Sequence, residues 1–100
     1  MNKTAFQYSL TLESPPDEMS DLLKSLWYDA KGDWEKSHGL ISEIETKEGA
    51  LIHAYLHRKE GDQWNADYWY RRAGEKRADI TLEKEWQQLV ETIIRSHNSD

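Results

Sequence analysis

The stretch ALIHAYLHRKEGDQWNADYWYRRAG, Ala50–Gly74, decides the fold. Its centre is Gly61-Asp62. A glycine just past a helix end takes the left-handed conformation that closes the last turn. An aspartate beside it accepts from the free N–H groups of the helix that follows. The pair predicts one helix over Ala50–Glu60 and a second over Gln63–Ala73, with Gly74 as the stop.

Both helices show their faces in the sequence. Leu51, Ile52, Tyr55 and Leu56 fall on one arc of the first, which must meet a core. His53 and His57, four apart, stack on the edge of that arc beside Ala50 and Ala54. On the second helix Ala66, Trp69, Tyr70 and Ala73 share a face, and the alanines allow close approach of a neighbour. Trp64 and Tyr68 lie on another side with Arg71 and Arg72 beside them. A short helix with aromatics on two sides is either covered twice or uses one side to bind.

Outward from this stretch the pattern stays helical. Ser14-Pro15-Pro16-Asp17 reads as a capped helix start. Met19, Leu22, Leu23, Leu26, Trp27 and Ala30 then repeat at helical period up to Gly32. Asp33 caps a further helix expected over Trp34–Glu45, with Gly39 either weakening it or admitting a neighbour, and Thr46–Gly49 as a connector. After Gly74, Glu75–Ile80 reads as a loop. Thr81 caps a last helix carrying Leu82, Trp86, Leu89, Val90, Ile93 and Ile94 on one face. Ser96–Asp100 reads as a frayed tail. At the other end, Phe6, Tyr8, Leu10 and Leu12 alternate with polar residues, the period of an extended segment, although no second strand is visible for it to join. The expectation is an all-α fold of about five helices in a single domain over residues 1–100. Residues 1–13 form an extended arm, 14–95 a helical core and 96–100 a flexible tail.

The chain also repeats itself. KGDWEKSH from Lys31 and EGDQWNAD from Glu60 each place a charged residue, Gly, Asp and then Trp in a tight turn between amphipathic helices. Two helical hairpins with a last helix capping the open end is the logic of a helical repeat array. Ala66 followed by Tyr68-Trp69-Tyr70-Arg71-Arg72-Ala73 resembles the second helix of Sel1-like and tetratricopeptide repeats, and the resemblance spans roughly Leu22 to Gly74. The Gly-Asp turns at Gly32 and Gly61 stand closer than the period of about 34 residues usual for the tetratricopeptide class. HAYLHRKEGD followed by NADYWYRRAG is also similar to a group of small uncharacterised proteins from bacteria and fungi. The resemblance implies a scaffold that binds peptides or partner proteins.

Composition removes several functions. There is no Cys, hence no disulfide framework and no thiolate chemistry. A net charge of −6 spread along the chain argues against a nucleic-acid surface, which needs a basic stripe. The Arg71, Arg72, Lys76, Arg77 cluster suits a solvated helix end, where cations complement the dipole. No apolar run reaches membrane-spanning length and nothing resembles a signal peptide, so the expected compartment is the cytoplasm. No Gly-rich phosphate loop and no G-x-S-x-G is present, and acid pairs such as Glu43/Glu45 lie on polar faces. No cofactor and no catalytic residue is assigned.

Two surfaces remain. His53 and His57 at i, i+4 can share a metal ion, with His38 or a carboxylate as third ligand. Ala54 stands where a zinc-protease helix needs its glutamate, so the alternative is two histidines hydrogen-bonded at a helix interface. The other surface joins His53, His57 and Arg58 to Asn65, Tyr68, Trp69 and Arg72, offering stacking faces and cationic forks to a carboxylate, a phosphate or a peptide end. Packing of those aromatics into the core, with arginines laid over them, is the competing explanation. The expected function is a binding module for a protein, a peptide or a small anionic ligand, with homodimerisation through the N-terminal segment or last helix possible. A small metal-dependent or acid/base enzyme centred on His53 and His57 is the alternative. A metal or catalytic site would draw His38 or a carboxylate to the two histidines in a concave pocket, whereas an interaction module would expose an aromatic patch.

Overall fold

The computed structural model describes residues 1–97. It is all-helical, with no strand among the described residues: α1 Lys3–Ser9, α2 Asp21–Ala30, α3 Trp34–Ile41, α4 Lys47–Lys59, α5 Gln63–Arg72 and α6 Leu82–His97. Among the described residues no helix is long and apolar enough to cross a membrane. The helix count among the described residues is six rather than five, because the N-terminal segment is helical.

That correction has a local cause and a tertiary one. Asn2 caps α1 by accepting from the Ala5 N–H at 2.7 Å. A lone strand would leave its N–H and C=O groups unpaired, whereas a helical turn satisfies them internally. The turn also aims Phe6 and Ser9 inward, with Leu10 half-buried, while Tyr8 is 67% exposed. The apparent alternation therefore does not describe one buried face. Phe6 is fully buried against α6, its ring 5.9 Å from that of Trp86. Trp27 Nε1 donates to Ser9 O at 3.0 Å, and Lys31 Nζ donates to Leu10 O at 2.9 Å, which fixes the segment onto α2.

Three boundaries move for one reason, namely a better cap nearby. Ser20 rather than Ser14 caps α2, through Leu23 N at 3.2 Å. Pro16 instead opens a turn closed by Met19 N–H on its carbonyl. Thr46 is not part of a connector: it caps α4 through Gly49 N, and the helix starts at Lys47. The start of α4 leaves no room for α3 to run to Glu45, and α3 ends at Ile41 with Ile44 N–H turned back on Ile41 O. Ala30, expected on the core face, is exposed. Ser96 and His97 belong to α6, and the rest of the expected tail, 98–100, lies outside the described residues.

The two Gly-Asp turns are built alike. Gly32 and Gly61 have φ of 87° and 89°. In the first, Asp33 N–H bonds to Tyr28 O at 2.9 Å; in the second, Asp62 N–H bonds to His57 O at 2.8 Å. Both are Schellman closures, in which the residue after the left-handed glycine reaches back to the last helical turn. Each aspartate then caps the next helix, Asp33 through Lys36 N and Asp62 through Asn65 N. The tight turns lay α3 on α2 and α5 on α4, the two most extensive helix contacts. Ser25 and Ser37 seal the first pair by exchanging hydroxyl-to-carbonyl bonds at 2.9 and 2.6 Å. Ala54, Ala66 and Tyr70 pack at the second.

The main core lies between α2, α4 and α6, with Leu26, Trp27, Ile41, Ile52, Leu56 and Ile93 buried in it. Burial of such a side chain stabilises by about 1.5–3 kcal/mol. Two buried carboxylates pin the layers. Asp29 accepts from Tyr55 Oη at 2.7 Å and from Lys59 Nζ at 2.9 Å, tying α2 to α4. Glu85, on α6, accepts from Arg58 at 2.7 Å and from the Tyr70 hydroxyl, tying it to α4 and α5.

Candidate functional site: a histidine–tryptophan array under an aromatic helix

Three helices place the array. Asp33 starts α3 so that Trp34 and His38 sit one turn apart on the same face, and their rings stack at 4.8 Å and 9°. Trp34 is anchored in turn, since its Nε1 donates to Leu56 O on α4 at 2.8 Å. On α4, His53 and His57 stack at 5.0 Å and 22°. Trp69 on α5 lies flat on His53, with centroids 3.8 Å apart. His38 Nε2 approaches His53 Nε2 to 2.9 Å. One ring nitrogen from each of His38, His53 and His57 lies within 4.8 Å of the others, the spacing of groups able to hold a metal ion.

The surroundings set the protonation of His38 and His53. Burial, then repulsion from His38 and His57, lowers His53 from 6.5 to about 4. Burial and His57 also lower His38, partly opposed by Glu60. An Nε2–Nε2 hydrogen bond needs one nitrogen to donate and the other to accept, so at least one ring is neutral. His57 differs from both in having a carboxylate partner, with Nδ1 3.1 Å from Glu60 Oε2. His57, Glu60 and Asp62 form a second, more open group of mutually close ligand atoms.

The residues singled out in the sequence are put to different uses. His53 is 6% exposed and lies beneath Trp69, so it cannot present an open face to a large ligand. Arg58 turns away from the histidines, pairing with Glu85 and donating to Ile80 O. Asn65 spends its amide on the cap, Nδ2 donating to Asp62 Oδ2 at 2.6 Å, which holds that carboxyl below its ordinary range. Tyr68 and Arg72 remain together outside: Arg72 donates to Tyr68 Oη at 3.2 Å and lies 5.1 Å over the Trp69 ring. One turn earlier, Trp64 is 75% exposed. Trp69 therefore has the histidine pair on its inner side and the exposed aromatic–cationic helix face around it.

Trp34 and Glu60 belong to the array although neither was singled out as a site residue. The signals were present: Trp34 stands one turn before His38, and Glu60 three residues after His57. The clearest grooves lie elsewhere. One, between the α5–α6 connector and α6, is lined by Tyr70, Ala78, Ile80, Glu85 and Leu89; another, beside Asp29 and Lys59, is closed by Trp86. No family model matches the chain, and no curated protein or solved structure matches it significantly.

Proposed function

We propose that the protein is a binding module whose recognition surface is the outward face of α5, and that its partner is a peptide segment bearing carboxylates. One observation carries this reading: Trp64, 75% exposed, stands one turn from the half-exposed Tyr68 on a helix that continues into Arg71 and Arg72. A large aromatic costs free energy when left in water, and Trp, Tyr and Arg dominate the energetics of protein–protein contacts. Arg71 and Arg72 supply the sign, as a cationic end on a chain of net charge −6, which favours an acidic partner over another copy of the average surface. The stack of Trp69 on His53 holds α5 rigid, so little ordering is required on binding.

The matched Schellman turns support reading α2–α3 and α4–α5 as two copies of one hairpin, in the manner of Sel1-like and tetratricopeptide arrays, with α6 as the cap. Within the patch expected from the sequence, this reading keeps Tyr68, Trp69 and Arg72 as contact residues. His53, His57, Arg58 and Asn65 become their support.

The test is a titration of isotope-labelled protein with a short glutamate-rich peptide containing one Trp, read by NMR. Shifts are expected at Trp64, Tyr68, Arg71 and Arg72, and are lost in Trp64→Ala/Arg72→Ala with the helical signal unchanged. Saturable shifts centred on α1 or α6 would move the surface elsewhere. Absence of shifts at millimolar peptide would remove the reading.

A further inference from the structure

We propose that His38, His53 and His57 bind a single divalent transition-metal ion of the zinc, cobalt or nickel type, with three imidazole ligands and a fourth position left to water or a small exogenous ligand. The site lies on the inner side of Trp69, behind the peptide surface, and its metal chemistry does not rest on that surface binding a peptide.

Geometry carries the proposal. Tetrahedral zinc with Zn–N distances of ~2.0–2.1 Å holds its nitrogens about 3.3 Å apart. Here one nitrogen from each ring already lies within 4.8 Å of the other two, and the His38–His53 pair is at 2.9 Å. Small ring rotations would bring the three nitrogens to that spacing and leave the fourth position open. The rings are otherwise held in place. Trp34 covers one face of His38 and Trp69 one face of His53. Glu60 engages His57 Nδ1, which leaves His57 its Nε2 as the ligand atom. A carboxylate on the far nitrogen is the usual outer partner of a metal-bound imidazole, where it fixes tautomer and orientation.

Hydrogen-bond bookkeeping argues the same way. Among the described residues, the only polar partner of His38 is His53, and that of His53 is His38. Three imidazoles gathered at one point carry three basic lone pairs, and a single nitrogen–nitrogen hydrogen bond uses one of them. Apolar side chains would fill the same space without that cost. Nitrogen donors without thiolate favour zinc, nickel, copper or cobalt over calcium or magnesium, which take oxygen ligands.

Placement gives the ion a consequence. His38 is on α3 and the other two ligands are on α4, so one ion would clamp the first helical pair to the second. Binding to the folded state alone raises the thermal midpoint with the logarithm of the excess of zinc over its dissociation constant.

The experiment is a titration of metal-free, tag-free protein with Zn2+ by calorimetry and with Co2+ by visible absorption. One equivalent of zinc is expected, with a cobalt spectrum of four-coordinate intensity and a rise in thermal midpoint. Glu60→Gln should weaken zinc about 10–100-fold. His38→Gln and His57→Gln should weaken it further while retaining the helical signal. His57 is only half-buried, which keeps that variant informative even if His38→Gln loosens α3. One equivalent of zinc bound undiminished by both histidine variants would place the metal elsewhere. No binding by the wild-type chain at millimolar zinc would end the proposal.

Discussion

Gly49 sits against the carbonyl of Ile44: a β-carbon there would lie 2.4 Å from Ile44 O and 2.8 Å from Ile44 Cγ2. The chain leaves α3, turns at Ile44 and enters α4 at Lys47 within this gap, so glycine is required for space. Gly39, exposed on α3, has nothing within 4 Å of the same added atom. Gly49→Ala is expected to destabilise by about 1–3 kcal/mol through overpacking. Gly39→Ala is expected to stabilise by about 0.5–1 kcal/mol through helix propensity. Urea denaturation of the two variants reads both signs.

Phe6 is fully buried, whereas Tyr8, two residues on, is 67% exposed. If α1 is packed as described, Phe6→Ala should cost about 3–5 kcal/mol, the range for a buried phenylalanine. Tyr8→Ala should stay within about 0.5 kcal/mol. Equal effects at the two positions would restore the extended arm.

Asp29 is buried and accepts from Tyr55 and Lys59. Tyr55→Phe removes one donor from this buried carboxyl and should cost about 1–3 kcal/mol, as expected when a buried acceptor loses its partner. Lys59 is 40% exposed, and Lys59→Ala should cost about 1 kcal/mol or less. The ordering of the two variants in thermal melts is the measurement.

The histidine array also makes stability depend on pH. His53 has its folded value depressed from 6.5 to about 4, so between these values the unfolded chain binds more protons than the folded one. Its contribution is complete above pH 6.5 and is lost as the pH falls through 4. At about 1.36 kcal/mol per pH unit the full loss is on the order of 3 kcal/mol. Urea midpoints of metal-free protein at pH 7, 5.5 and 4 should fall in that order, and the slope should flatten in His53→Gln.

What the sequence reveals follows the range of the forces involved. The turns at Gly32-Asp33 and Gly61-Asp62 were readable because a left-handed glycine and a capping carboxylate act within five residues. The start at Ser20 was not, because Ser14 and Ser20 are both competent caps and the prolines between them decide the matter through a turn. Phe6 misled because seven residues carry too few apolar positions to separate period two from period three to four. Within the site, the i, i+4 relation of His53 and His57 is intrinsic to α4. The approach of His38 depends on how α3 lies against α4, and the departure of Arg58 depends on Glu85, 27 residues away on α6. No local pattern encodes either.

The convergence of His38 and His53 under Trp69 supports both the rigid α5 surface and the metal site. It is tested most directly by following the imidazole nitrogen shifts of metal-free protein by NMR as the pH falls from 8 to 3. His53 is expected to remain neutral until about pH 4, with His38 also titrating below its ordinary 6.5. Titration of both rings together near 6.5, as in an open peptide, would contradict that convergence.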